Sequence, residues 1–462
     1  MDITIVAEAT VSKELSSRAP LPPGKMGLPL LGETLDALKN GFAFVEAGAR
    51  RHGPIFKTSL FGRKTAVVTG PEASALFIDS SRVQRSGAMP PHIQTLFAGA
   101  SLPLLDGPEH RDRKRLVMAA FTREALASYL PVMQKLVVGT FEEWAARSEV
   151  RLVPELKRLA IETIATTVMG VSRRPVLDRL LADYEVVGGG FASLPNPLPG
   201  SAFTRAKKAL DRILLEFETI IRDHQASPRD DGLSRILAAK TGDGRGITIE
   251  EAKMELHHII VAGLIVWSWF AEAILQLAKH PEIRSGIAAE DASRAAAATL
   301  TLEALAAMPV LEAVSMEVRR LSPVVFVCFG KARETFEFAG YTVPKGWAVL
   351  WGLRSSHLRP EIYSAPEEFD PARFAPPRSE QERHPCAFVP NGAGPSTGHK
   401  CAGYEFAPLF LQVFLAQLCR GYDVTLQRPQ DLERDWSRVP PEPREGLRAV
   451  VRRKGFEQEA AS

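Results

Sequence analysis

A mainly α fold with a minor β component is predicted by three features of this 462-residue sequence. Apolar residues recur at helical spacing from Glu109 to about His224. A second helical pattern of about 30 residues runs from Thr248 to Pro281. The β signals are short and sit around 55–69 and 323–354. Hydrophobic residues form 45% of the chain, enough for a large buried core. Length alone would allow about three domains at roughly 150 residues each, although single large folds break that rule. A net charge of +3 gives no reason to invoke nucleic acid or an acidic membrane surface. Cys328, Cys386, Cys401 and Cys419 contain no CxxC pair, which excludes a disulfide scaffold and a zinc ribbon and suggests a reduced, intracellular protein.

Residues 1–20 are polar and unpatterned, read as a flexible leader without the marks of a secretory signal. Leu21–Thr34 is dense in Pro and Gly and favours an extended path. Ile55–Leu60 and Thr65–Thr69 flank Phe61–Lys64 as a β-hairpin, and residues 81–107 read as an irregular loop. The helical region that follows is predicted to break at Gly188–Gly200, and Ser227–Gly246 to be a charged connector. Thr248 with Glu251 then forms a capping box, and Pro281 ends the helix. At 1.5 Å per residue this helix would be about 45 Å long. Its apolar core, Ile259–Leu277, contains Glu272 and Gln276 and reads as a buried helix, not a membrane span. After an Ala-rich stretch come a helix at Pro309–Leu321, short strands over 323–354, coil over 359–400 and a last helix from about Ala402 to Leu418.

The most informative segment is Phe388–Glu405, FVPNGAGPSTGHKCAGYE, where a Gly-rich loop delivers Cys401 to the predicted start of a helix. Free N–H groups at a helix start, with His399 and Lys400 beside them, would lower the thiol pKa. Such a thiolate could be a nucleophile, a redox centre or a metal ligand; the other three cysteines read as inert. Upstream, Glu317 and Arg320 share a helical face as an ExxR pair. Arg373, in Phe369-Asp370-Pro371-Ala372-Arg373-Phe374, could complete a buried Glu–Arg–Arg network.

The order ExxR, FDPxRF, Gly-rich loop and cysteine, over about 85 residues, resembles the cytochrome P450 superfamily. LPPGKMGLPLLGETL (21–35), EHRDRKRLVMAAFTREAL (109–126) and TFEFAGYTVPKGW (335–347) resemble its retinoic-acid-hydroxylase and cyanobacterial branch. The resemblance implies a single catalytic domain over 21–462: a triangular-prism helical domain with small β-sheets. It also implies haem b, with Cys401 as the axial iron ligand. Phe388 would pack near the haem, and Gly392 and Gly394 would let the backbone approach the ring. His110 and Lys114 would face the haem propionates, His399 would border the cofactor, and Glu317, Arg320 and Arg373 would hold the loop beneath it.

Several positions depart from the family pattern. The long helix should carry A/G-G-x-D/E-T, but Ala262-Gly263 are followed by Leu264-Ile265-Val266-Trp267. The distal face, Ala262, Gly263, Ile265 and Val266, therefore lacks the acid and alcohol that relay protons, and Ser268 reads as a satisfied helix serine. The propionate-binding arginine expected after the ExxR helix is replaced by Gly330, with Lys331 or Arg333 as substitutes. Thirteen positions separate Phe388 from Cys401, against seven in the usual FxxGxRxC. That longer loop resembles the bacterial fatty-acid peroxygenases. Their Arg–Pro pair would fall near Val261-Ala262, yet no arginine lies between Arg245 and Arg284.

Three functions remain open. One is a monooxygenase in which the substrate hydroxyl or an ordered water supplies protons. Another is a peroxide-using enzyme of peroxygenase, isomerase or dehydratase type; the third is a low-turnover haem-binding protein. The substrate expected is lipophilic: an isoprenoid, polyketide or fatty acyl compound. Phe191, Phe203, Trp267 and Trp269 would line its pocket or pack in the core. Arg111, Arg113, Arg115 and Arg123 lie where redox partners dock in this family, so a ferredoxin or flavodoxin with its reductase is the expected donor, no reductase domain being fused to this chain. A cytoplasmic monomer with no transmembrane anchor, at most loosely membrane-associated, is expected.

Overall fold

Four helices build the core: Arg123–Ala145, Leu152–Met169, Trp267–Lys279 and Phe406–Gly421. They pack mutually through their apolar faces in one continuous cluster. Phe270 stacks on Phe414 at 4.6 Å and meets Phe410 edge-on at 4.7 Å, while Phe141 lies 5.1 Å from Phe414. Aromatic pairs at such distances add to the burial of their area. The structure, a computed structural model, describes residues 19–293, 300–325, 327–435, 438 and 440–455. Residues 1–18 of the predicted leader and 294–299 of the Ala-rich stretch lie outside them.

The hairpin forms as Ile55–Leu60 and Arg63–Thr69, turning at Phe61-Gly62. It seeds a five-stranded sheet: Arg63–Thr69 runs parallel to Ala348–Gly352, which pairs antiparallel with Val327–Ala332, and Val83–Gln84 closes the edge. The Pro-rich entry is extended as expected. Lys57 donates its N–H to the Pro23 carbonyl, and a Cβ at Gly24 would fall 2.3 Å from the Lys57 oxygen. Only glycine fits there.

Tertiary packing changes five boundaries. Residues 81–107 are not wholly irregular: they hold the strand Val83–Gln84, a helix at Pro91–Leu96 and a short 3-10 turn at Leu102–Leu104. The predicted break at Gly188–Gly200 forms over 192–201, between the helices Arg174–Phe191 and Ala202–Ala226, but the first helix continues through Gly188–Gly190, and a side chain at Gly190 would strike Ala206 at 2.3 Å and Leu96 at 2.9 Å. These glycines permit a close helix crossing. The charged connector contains the helix Gly232–Ala238, capped by Asp231, whose carboxylate also pairs with His224 at 2.8 Å. The last helix starts at Phe406, four residues beyond the predicted Ala402.

The long helix is two helices, Ile249–Leu264 and Trp267–Lys279, meeting at a turn over Ile265 and Val266. Its capping box forms as predicted. The helical run is long and apolar enough to cross a membrane by composition, but 67% of its most apolar window is buried inside the fold.

Candidate functional site

Glu317, Arg320 and Arg373 meet in the interior, each with no side-chain exposure. Glu317 receives Nε and Nη2 of Arg320 at 2.7 and 2.8 Å, Nε of Arg373 at 3.0 Å, and the backbone N–H of Asp370 at 2.9 Å. A fourth member escaped the sequence reading: Glu380, fully buried, accepts Nη1 of Arg373 at 2.7 Å. Burial pushes Glu380 up, but hydrogen bonds from Arg373, Ser364 and Arg378 hold it down at about 2. Remaining guanidinium N–H groups reach the carbonyls of His357, Ser364, Pro366 and Glu368. Two cations and two anions so satisfied make a stiff, neutral frame. Removing one partner would strand a buried charge.

His357 links this frame to the cysteine loop. Burial lowers its pKa to about 3, so the ring is neutral. Nδ1 faces the Arg320 carbonyl at 3.2 Å, and Nε2 accepts the Val389 N–H at 3.0 Å. Nothing in its local sequence distinguishes this histidine. Beyond Val389 the loop turns at Gly392 and Gly394, with φ of 79° and 89°, and the Cys401 N–H returns to the Asn391 carbonyl at 2.9 Å. Phe388 packs on Phe374 at 5.6 Å beneath Arg319, whose guanidinium lies 5.2 Å over the ring.

The Cys401 thiol corrects an expectation. Burial raises its pKa, and the Gly403 N–H and the Lys114 ammonium oppose this only in part. The helix dipole acts within its first turn, and the helix begins five residues after Cys401. Lys400 and His399 are engaged elsewhere: Lys400 Nζ lies 4.3 Å over the Tyr404 ring, and His399 Nε2 is 3.6 Å from Asp106. Burial thus favours the neutral thiol, and a bound cation would favour the thiolate.

The helix Gly107–Met118 brings His110 and Lys114 to the same place. Lys114 Nζ donates to the Lys400 carbonyl next to Cys401, and the rings of His110 and His399 lie 4.0 Å apart. Burial, with the nearby charges of His399 and Lys114, drops His110 to about 3. Arg333 is not drawn into this group; it is exposed, with Nε on the Ser80 carbonyl at 3.0 Å. Arg113 is corrected as well: it is 3% exposed and bound to Glu251 and Glu255, so it belongs to the interior. Arg111 and Arg115 are exposed, and Arg123 pairs with Glu303.

Along the helix Ile249–Leu264 and the turn after it, Met254, His258, Val261, Ala262 and Ile265 recur at helical spacing and stay partly accessible. Gly263 and Val266 face the packing instead. A Cβ at Gly263 would meet Ile164 at 2.6 Å, and Val266 is 4% exposed. Across the turn, bonds span three residues: Ser268 N–H to Ile265 O at 3.4 Å and Trp269 N–H to Val266 O at 2.9 Å. Ser268 Oγ also donates to Ile265 O, as a satisfied helix serine does. His258 is the ionisable group on the open stripe; its Nδ1 lies 3.3 Å from Glu255, which is itself anchored by Arg113 and the Leu102 N–H. Trp267 and Trp269 are core residues, the latter donating to Ser322 O at 2.8 Å. Phe191 and Phe203 remain partly accessible, with Phe97 and His92 as their ring neighbours.

A haem fits this donor set. One cysteine is presented on a braced loop, the helix Ile249–Leu264 carries a partly accessible apolar stripe, and Nη1 of Arg85 is one of three buried guanidinium nitrogens without a hydrogen-bond partner among the described residues. The cytochrome P450 family model matches residues 22–444. Putative cytochrome P450 120 of Synechocystis is 34% identical over 437 residues, 94% of this chain and 97% of that protein. Cytochrome P450 26A1 of Gallus gallus is 29% identical, covering 89% and 86%. Among solved structures, retinoic acid-bound cyanobacterial CYP120A1 superposes with a TM-score of 0.88 at 33% identity, covering 95% of this chain and all of that one. Cytochrome P450 OleT with arachidonic acid reaches 0.80 at 22% identity over 94% and 99%, a likeness of fold. The chain belongs to the cytochrome P450 family, and is a haem b-binding oxidoreductase.

Proposed function

We propose that this P450 is a monooxygenase of a lipophilic substrate of isoprenoid or polyene type, acting as a monomeric catalytic domain over residues 21–462. The reading is supported by Cys401 on its braced loop and by the partly accessible apolar stripe Val261, Ala262 and Ile265 carried by the helix Ile249–Leu264 and the turn after it. Cys401 would hold the haem iron, and a thiolate-held haem would supply oxygen activation. Glu317, Arg320 and Arg373 hold the loop through His357; Phe388, Gly392 and Gly394 shape the ring's proximal seat. His110 and Lys114 stand at the propionate edge, beside His399.

Ala262 and Ile265 offer the substrate an apolar wall and exclude bulk water. Neither they nor Gly263 and Val266 can hold a proton at the distal site. A substrate hydroxyl or an ordered water carries the proton there. The preference for a retinoid-like substrate rests on the relative that binds retinoic acid. Exposed Arg111 and Arg115 suit an acidic ferredoxin or flavodoxin, and a cytoplasmic setting, with at most loose membrane contact, suits such a donor.

The test compares turnover of retinoid, isoprenoid and fatty acyl substrates under two oxidants. Oxygen with a ferredoxin and its reductase is expected to support product formation. Equal or faster turnover with hydrogen peroxide alone would replace this reading by the peroxide-using one. Product with neither oxidant, in a red and stable protein, would favour a peroxide-free isomerase; no product at all would favour a haem carrier.

A further inference from the structure

We propose that the cavity walled by the long cysteine loop, with Arg319 and Lys400 in its lining, is a binding site for a small monocarboxylate with a compact apolar body. The site goes beyond the haem reading and lies outside the residues which that reading uses for the iron, the propionate edge and the open stripe.

The cavity has a volume of about 220 Å³. Pockets for drug-sized ligands run to about 300–1,000 Å³, so this space suits something smaller. Arg319, Phe388, Lys400 and Tyr404 line it together with loop residues 389–394. Neither Cys401 nor His110, Lys114 or His399 borders it. The cysteine loop is long for the family, with thirteen positions from Phe388 to Cys401, and it supplies most of the wall.

Two cations in this lining have donors to spare. Arg319 is 5% exposed. Its Nε donates to the Ser315 carbonyl at 3.0 Å and its Nη2 lies 3.4 Å from Glu312, while Nη1 has no hydrogen bond among the described residues. Burial lowers its pKa to about 10, so the guanidinium is charged at neutral pH in a place where a nearby anion favours it. Lys400 Nζ lies 4.3 Å over the Tyr404 ring, and no acid pairs with it among the described residues. Glu312 meets Arg319, and Glu405 meets the Tyr404 hydroxyl, but neither acid lines the cavity.

A carboxylate can accept from a guanidinium and an ammonium together, and each such bond is charge-assisted. The Phe388 ring, with the Arg319 guanidinium 5.2 Å over it, joins Val389 and Pro390 as an apolar wall for the carbon body of the acid. Phosphate or sulfate would leave that wall unused. The burial of Arg319 favours a free acid over a carboxylate on a docking protein, because a folded backbone stays outside a space of this size.

The test titrates benzoate into the holoprotein by calorimetry, with 4-phenylimidazole on the iron to occupy the substrate side. Benzoate should bind saturably at one site per chain. Arg319→Leu and Lys400→Met should each weaken it about 10- to 100-fold, the loss expected for one charge-assisted hydrogen bond. Uncharged benzamide should bind the parent protein as weakly as benzoate binds those variants. No saturable binding, undiminished binding in either variant, equal binding of benzamide, or binding seen only without 4-phenylimidazole would overturn the proposal. So would variants that leave benzoate unaffected but slow reduction by a ferredoxin, which would give the cavity to an acidic protein. If Arg319→Leu does not fold, Lys400→Met, a change at a partly exposed side chain, decides together with benzamide. A protein that purifies without haem would overturn the haem assignment alone; benzoate binding is then judged by the same variants without 4-phenylimidazole.

Discussion

The two sides of the candidate haem site are built on opposite principles. Beneath Cys401, buried charges are abundant and every one is answered: Glu317 and Glu380 against Arg320 and Arg373, with carbonyls taking the remaining N–H groups. By contrast, the open stripe of the helix Ile249–Leu264 and the turn after it presents Ala262 and Ile265, and the ionisable group on that stripe, His258, lies beside Glu255. The proximal frame fixes geometry, since a charge network in low dielectric has few alternative arrangements. The stripe carries no acid or hydroxyl at 265 and 266, so in the proposed function proton delivery would fall to the substrate or to water.

The sharpest way to break this contrast is Glu317→Ala. It leaves Arg320 and Arg373 buried without their shared partner and should cost about 3–5 kcal/mol, seen as misfolded or haem-poor protein in denaturant titration and haem content. Stable, fully loaded protein would refute the network.

Acid should attack the proximal side next. Glu380 has a native value of about 2 against an ordinary 4.5, so its contribution is present above about 4.5 and lost as pH falls toward 2. His357 and His110, both lowered to about 3 from 6.5, are protonated in the unfolded chain before the native one. They therefore weaken the fold as pH drops below about 6.5. Denaturant midpoints across this range should fall in two stages, and Glu380→Gln should flatten the lower one. A midpoint independent of pH between 6.5 and 3 would contradict both assignments.

Gly263→Ala sharpens the distal half. Its methyl group would meet Ile164 at 2.6 Å, so an overpacking loss of about 1–3 kcal/mol is expected, with haem binding retained. No loss in thermal denaturation would mean that the helix sits in another register. The smallest effect belongs to Ile265→Thr. On the open stripe it should leave haem content and stability within about 1 kcal/mol, while raising the fraction of consumed oxygen that appears as product. Destroyed haem incorporation would show that Ile265 is part of the haem-holding machinery.

Much of the site was legible because its chemistry depends on local spacing. Glu317 and Arg320 lie one turn apart on a helix, the FDPxRF motif carries Arg373, and Cys401 follows its Gly-rich loop. Glu380 and His357 were not legible, because neither sits in a distinctive pattern: Glu380 meets Arg373 across irregular chain that has no periodic spacing, and His357 meets Val389, 32 residues away. The Cys401 thiol was misjudged for a related reason. Its pKa depends on where the last helix begins and how deep the sulfur lies, and burial outweighs the neighbouring charges.

The sequence by itself determined the helical class, the cysteine, the ExxR frame and the missing distal acid and alcohol, since residue type and short-range period carry all of these. Tertiary packing decided the rest: that the glycines at 190 and 263 serve helix crossings, that Arg113 is an interior ion-pair partner, and that the long helix divides at Ile265–Val266. These depend on which surfaces meet between separate elements of the fold. Periodicity along one segment does not contain that information.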